Sequence, residues 1–297
     1  MISILIPIYN TDTSHLVQKL YKQCLVQSVE FEILGWEDGS TNYTEENSQA
    51  FKQHPKTKLY SHSENKGRIA TRHQLAEKAK FNWLLFLDAD VMPITNDFMS
   101  IYLNALESNA DVVFGGFAYT DRKPEQHVLL RWAYGRRQEA KAARLRNPKP
   151  YKLVISANMA IKKTLFLELT QHLPYPAYGL DNYLAALLKK NRSRVRHIDN
   201  NVYHLGLESS EIYLMKMEKA VETLLQMKQM NPTLAHENSL LSLYEKMGNL
   251  GLTDSISQLY LRLKPRLRKN LLGPNPNIKL LQFYRLGHMC YLAKQKK

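Results

Sequence analysis

Cysteine is nearly absent from this chain: Cys24 and Cys290 are the only two in 297 residues. Two cysteines make neither a disulfide framework nor a cysteine-based zinc site, and they point to a reducing cytoplasm. No apolar run approaches the ~20 residues needed to span a bilayer. The opening MISILIPIYN has no basic n-region and no small-residue cleavage site, so it is not expected to be a secretory signal. A P-loop and a GxSxG nucleophile elbow are both missing, and there is no internal repeat or low-complexity segment. With 44% hydrophobic and 23% charged residues, the composition excludes global disorder.

Acidic residues are scarce in two places only. The net charge is +14, from 41 Lys+Arg and 27 Asp+Glu. Residues 122–163 hold 12 Lys/Arg against two acids, and residues 255–297 hold 10 Lys/Arg and no acid. Each segment carries +10, which leaves −6 for the rest. Nucleic acid, the usual partner of a basic chain, is therefore not expected; the cations are local.

Across the first 120 residues, short apolar runs alternate with amphipathic stretches of helical period. Runs at Ile2–Ile8, Phe31–Trp36, 58–61, Trp83–Leu87 and 111–119 read as strands, with helices near 14–24, 43–53, 66–80 and 96–108 between them. Such alternation implies βαβ units and a mostly parallel sheet, which binds ligands beyond the carboxyl ends of its strands. Polar clusters stand at three of those ends: Tyr9-Asn10, Asp38-Gly39-Ser40 and Asp88-Ala89-Asp90. Two carboxylates at i and i+2 can address one hard cation, and Mg²⁺ or Mn²⁺ favours such oxygen ligands together with substrate phosphates. Further on, 153–161 and 194–204 read as strands, and the chain after Gly206 is helical, with breaks expected at Pro232, Gly251, Pro265 and Gly273-Pro274.

The blocks Ser3-Ile4-Leu5-Ile6-Pro7-Ile8-Tyr9-Asn10, Glu37-Asp38-Gly39-Ser40-Thr41, Asn65-Lys66-Gly67 with Ala70 and Arg72, and Leu87-Asp88-Ala89-Asp90 occur in one order. Ser156-Ala157-Asn158-Met159-Ala160 and Gly179-Leu180-Asp181 follow. In order and spacing the chain resembles the inverting family-2 glycosyltransferases of the GT-A fold, over about residues 1–206. The resemblance implies an α/β GT-A domain at 1–206, with a nucleotide-sugar half at 1–120 and an acceptor half at 121–206. Residues 207–297 would form a helical, basic C-terminal extension.

The resemblance also implies roles. Pro7, Tyr9, Asn10, Asp38, Lys66, Arg68, Arg72, Asp88 and Asn158 would contact the nucleotide-sugar donor, which is UDP-linked in many members. Asp90 would bind Mn²⁺ or Mg²⁺, with His204 completing the shell. Asp181 would be the general base that deprotonates the acceptor hydroxyl, the acceptor being a saccharide or a lipid-linked sugar in surface-polysaccharide assembly. Three positions depart from the family pattern: Leu180 where an acid is usual, Glu37 for Asp, and His73 for Asn. The alternative is a non-catalytic nucleotide-sugar or polyanion binder on the same fold.

Of the basic segments, 122–163 would present Arg131, Arg136, Arg137, Lys141, Arg144 and Arg146 to a diphosphate, an acidic saccharide or a lipid pyrophosphate. In 255–297 the cations are interleaved with Leu259, Tyr260, Leu267, Leu271, Leu281 and Tyr284. A basic amphipathic helix of that kind suits either an anionic membrane surface, which would hold a cytoplasmic protein to the inner face of the cell membrane, or a helical tail packed on the catalytic domain with its charges in water.

Overall fold

The structure is a computed structural model that describes residues 1–171, 181–232 and 235–295. In chain order its strands are β1 (Ile2–Ile8), β2 (Phe31–Asp38), β3 (Thr57–His62), β4 (Trp83–Leu87), β5 (Val91–Pro93), β6 (Val112–Phe114), β7 (Phe117–Ala118), β8 (Asn158–Lys162), β9 (Val195–His197) and β10 (Val202–His204). The helices are α1 (Ser14–Leu25), α2 (Thr44–Lys52), α3 (Arg68–Lys78), α4 (Phe98–Leu106), α5 (Leu129–Tyr134), α6 (Ala143–Arg146), α7 (Lys163–Thr170) and α8 (Asp181–Lys190). Beyond them come α9 (Ser210–Met230), α10 (Ser239–Asn249), α11 (Thr253–Leu271) and α12 (Ile278–Gln295).

Seven strands form the main sheet in the order β3-β2-β1-β4-β8-β6-β9. Strands β1 to β4 are parallel, and β8 runs antiparallel to both β4 and β6. Every residue of β1 and β2 is buried, as expected for strands covered on both faces. Side chains alternate between two cores because successive Cβ atoms point to opposite faces. Ile2, Ile4, Ile6 and Ile8 join α1 and α4 through Leu16, Leu20, Phe98 and Tyr102. Leu5, Leu34, Leu84 and Phe86 join α3, α7 and α8 through Leu75, Phe166 and Leu188. Pro7 is tolerated in β1 because the ladder to β4 pairs only Ser3, Ile4 and Leu5, so no donor is missed on that side.

The antiparallel β8 matters for function. Its register sets Asn158 opposite Leu87, so the segment just before it, including Ser156, lies beside Asp88. A second, three-stranded sheet, β5-β10-β7, pairs His204 with Val91 and so returns the late chain to Asp90.

The C-terminal helices pack against the α/β body. Tyr213, Leu214, Tyr260, Leu267, Leu271, Leu281 and Tyr284 form one core with Leu130 of α5. Val221, Leu224, Leu240, Leu241 and Met289 form another with Ala186 of α8. Tyr260, Leu267, Leu271, Leu281 and Tyr284, the apolar stripe that either a membrane or the domain could have covered, are thus interior. Pro265 was expected to break a helix and instead lies inside α11. The lost N–H bond is outweighed where Tyr260, Leu267 and Leu271 of one helix all insert into the same core. Among the described residues no helix is long and apolar enough to cross a membrane.

Candidate active site

Asp38 ends β2 and is 3% exposed. Its carboxylate accepts the backbone N–H groups of Lys66 at 2.8 Å and Gly67 at 2.9 Å, the amides that open α3. A carboxylate suits this place, where the helix N-terminus leaves unpaired donors. Gly39 turns the chain there with φ 71°, and a Cβ on it would lie 2.5 Å from the Asn65 nitrogen, so only glycine lets the two rim loops meet. Asn10, also left-handed at φ 49°, accepts from the amides of Thr41 (2.7 Å) and Asn42 (3.1 Å). Tyr9 is exposed beside it, and Lys66 is exposed at the mouth.

Asp88 follows β4, and α3 holds it. Arg72 Nη2 donates to Oδ1 at 2.5 Å and Arg68 Nη1 to Oδ2 at 2.9 Å. Burial alone would push the Asp88 carboxyl up; the Arg72 and Arg68 guanidinium groups outweigh it and hold it below the ordinary carboxylate range. Arg72 is itself buried and donates to the Ser156 hydroxyl (2.7 Å) and carbonyl (3.0 Å). The Ser156 hydroxyl in turn donates to Asp181 Oδ1, while Arg68 Nη2 stands 3.8 Å from Asp181 Oδ2. Asp88, Arg72, Ser156, Asp181 and Arg68 therefore close a ring. The ring positions Asp181 at the start of α8, where a helix N-terminus favours a negative charge.

Asp90, two residues on, faces the opposite way. Burial, then the neighbouring Asp88 charge, push its carboxyl up to about 6. Its Oδ2 lies 3.6 Å from His204 Nε2, too far for a hydrogen bond. Burial, then Arg131, push the His204 imidazole down to about 3, so it is neutral at physiological pH. A Cβ on Gly206 would lie 2.0 Å from Asp90 Oδ2, so glycine is required for the carboxylate to sit there. A carboxylate and a neutral imidazole directed at one another without sharing a proton are a donor pair suited to a divalent transition ion. Among the described residues no group of three His, Cys, Asp or Glu could hold a metal unaided, so further ligands would have to come from substrate or water.

Most of the residues singled out from sequence meet on this rim; Asn158 does not. It is fully buried, its amide donating to the carbonyls of Gly116 and Asn200 and its carbonyl accepting from Tyr102. It supports the rim from beneath. Among the basic residues of 122–163, Arg131 is buried against Glu139 at 3.0 Å, and Arg146 is spent on the carbonyls of Gly115 and Ile198. Arg136 pairs with Asp121. Gly179 and Leu180 lie outside the described residues. Ser156 carried no sequence signal of a role beyond its place in the block before Asn158, because its contact with Asp181 spans 25 positions and depends on the β8 register.

A mostly parallel sheet with polar strand ends, an aspartate pair after β4 and a carboxylate opening α8 define a nucleotide-sugar transferase type of α/β domain. The chain matches the profile of Glycosyl transferase family 2 over residues 3–170, and it belongs to that family. It is 29% identical over 124 residues to the glycosyltransferase GlyG of Streptococcus pneumoniae, covering 39% of this chain and 39% of that one. It is 32% identical over 133 residues to a glycosyltransferase of Haemophilus influenzae, covering 44% of this chain and 52% of that one. The matches thus span about half or less of these relatives' lengths. Among solved structures it is similar to residues 1–349 of TarS from S. aureus, with TM-score 0.52, 14% identity, and 99% and 91% of the two chains covered. It is also similar to the mannosyltransferase PcManGT of Pyrobaculum calidifontis, bound to GDP-Man and Mn²⁺, with TM-score 0.56, 14% identity, and 99% and 86% covered. These likenesses establish the GT-A fold.

Proposed function

We propose that this protein transfers a sugar from a nucleotide-diphosphate donor, probed first as the UDP-linked form, to a hydroxyl of a saccharide or lipid-linked acceptor, with inversion. The supporting observation is the ring that joins the donor-side Asp88 to Asp181 through single side chains. Asp181 takes the acceptor proton as the acceptor oxygen bonds to the anomeric carbon; the carbon–oxygen bond to the diphosphate breaks, and the diphosphate leaves with the electron pair. One displacement inverts the anomeric centre and needs no covalent nucleophile.

Asp90 and His204 would hold Mn²⁺ or Mg²⁺, whose charge would stabilise the departing diphosphate. Arg68 and Lys66, exposed at the mouth, add positive charge there. Asp38 fixes the loop over which the base would lie, and the second lone pairs of its oxygens remain for a donor group. Thermal shift with UDP-glucose, UDP-GlcNAc and GDP-mannose, each with and without Mn²⁺, tests the reading, since bound ligand raises Tm by mass action. Stabilisation by at least one of them with Mn²⁺ is expected; no response to any would overturn it. Transfer undiminished in Asp181→Asn would overturn the assignment of the base, and donor binding with neither transfer nor donor hydrolysis in the wild type would leave only a binding protein.

Attachment to a membrane surface is the finer part of this proposal. Although the inward face of α11 is buried, Leu259, Leu261, Arg262 and Arg266 face outward. Each cation near anionic lipid contributes ~1 kcal/mol. Liposomes containing phosphatidylglycerol should retain the wild type and release the Arg262→Glu/Arg266→Glu variant.

A further inference from the structure

A cavity of about 620 Å³ opens on the side of Asp181 away from the Asp38 and Asp88 rim. One wall is α8 with Asp181 and Asn182; the facing wall is α10 and α12, with Asn238 and Arg285. Between them the stretch from Tyr134 to Val154 supplies Lys141, Lys149 and Lys152. Neither Asp38, Asp88 nor Asp90 lines it, so it is separate from the donor side.

Its charge is unbalanced. Lys141, Arg146, Lys149, Lys152 and Arg285 line the cavity, and Asp181 is the one carboxylate among its described lining residues. Arg146 is turned to the carbonyls of Gly115 and Ile198, with Asp199 at 4.0 Å, but among the described residues no ion pair engages Lys141, Lys149, Lys152 or Arg285. Elsewhere in the fold comparable cations are matched: Arg131 with Glu139, Arg136 with Asp121, Arg194 with Asp111. Among the described residues the buried Arg285 Nε has no hydrogen-bond partner, and its Nη1 donates to Gln282 Oε1 at 3.3 Å. A guanidinium donor left unpaired beside a concavity costs stability unless an acceptor arrives. Four like charges around one cavity repel each other and raise the local potential for an anion. Guanidinium and ammonium donors at different heights on two walls match the several acceptor oxygens of a phosphate.

We propose that this cavity is the acceptor site and that the acceptor carries a phosphate or diphosphate group, bound by Arg285 and Lys152 while its hydroxyl reaches Asp181. The inference rests on Asp181 being the base. It also gives the C-terminal helices a role in acceptor choice, since Arg285 comes from α12 and Asn238 caps α10.

The test is calorimetry on protein saturated with UDP and Mn²⁺, which fills the donor side. Three probes are titrated: glycerol 3-phosphate, farnesyl diphosphate in nonionic micelles, and maltose as the neutral control. One phosphate probe or both should bind and maltose should not; which one binds tells whether the acceptor phosphate is a soluble ester or a lipid diphosphate. Arg285→Gln and Lys152→Ala should each weaken that binding about tenfold, the weight of one charge-assisted hydrogen bond. Arg285→Lys should lose less. The Tm rise given by UDP with Mn²⁺ should be unchanged in all three variants, which shows that they fold. Binding of neither phosphate probe, binding indifferent to both substitutions, or equal binding of maltose would overturn the proposal. A phosphate probe bound through Arg285 in a protein that ignores nucleotide sugars would instead defeat the donor reading, and with it the acceptor role, and leave only a phosphate-binding cavity.

Discussion

Asp88 and Asp90 stand two residues apart at the end of one strand, yet the protein treats them in opposite ways. On the α3 side, Asp88 has two arginines on its two oxygens and is held ionised. On the β10 side, Asp90 makes no ion pair with a lysine or arginine among the described residues; burial and the Asp88 charge raise its pKa to about 6, and an imidazole stands 3.6 Å away. One carboxylate is paired within the fold; the other is the one to which the proposed function gives the metal. The difference separates architecture from chemistry inside a single three-residue motif, and it can be tested by removing each side in turn.

The largest effect should come from Asp181, the proposed base, which the Asp88 side positions. Asp181→Asn is expected to slow transfer by about 10²–10⁴-fold, the usual contribution of a general base, while the nucleotide-sugar Tm shift stays as in the wild type. Next is the open side. Gly206→Ala drives a Cβ into Asp90 and should abolish the extra stabilisation by Mn²⁺ without disturbing the Arg72–Asp88 pair, read by thermal shift with UDP alone and with UDP plus Mn²⁺. Smaller still, Ser156→Ala breaks the link between Arg72 and Asp181; kcat should fall about tenfold, near the value of one hydrogen bond to a charged group, with KM for the donor little changed.

The pH dependence of the metal-free protein sharpens the comparison with the mildest change. A folded pKa raised to about 6 means that the stability tied to protonated Asp90 is complete below the ordinary carboxylate pKa and is lost as pH rises through about 6. Asp90→Asn should therefore raise Tm of the metal-free protein at pH well above 6, by a few degrees, and have no such effect in acid. Asp88→Asn should lower Tm under the same conditions, since it leaves buried Arg72 without its partner. Scanning calorimetry across this range reads both.

How far this contrast was visible in the sequence is instructive. The strand ends and the alternation of periods placed Asp38, Asp88 and Asp90 at the ends of β2 and β4, because each depends on local pattern, and the order of the blocks singled out Asp181 by resemblance. Asn158 was read as a donor contact because it sits in a recognisable block; the antiparallel register of β8 turns it inward to Tyr102 and Asn200. That register is a long-range pairing, and no local period encodes it. Which way the apolar stripe of 255–297 faces was open in the sequence for a related reason. An amphipathic face is the same in sequence whether it covers lipid or protein, and here Leu130 and α9 supply the partner. Likewise, a count of +10 in 122–163 could not separate Arg131, buried against Glu139, from Lys141, Lys149 and Lys152, which line a cavity.

The central claim is that Asp90, and not Asp88, is the residue left for the metal. Titration of Mn²⁺ into the UDP-bound protein by isothermal calorimetry tests it directly, with wild type, Asp90→Asn and Asp88→Asn side by side. Loss of Mn²⁺ binding in Asp90→Asn, with binding retained in weakened form in Asp88→Asn, is the predicted result. Wild-type Mn²⁺ affinity in Asp90→Asn would contradict the account.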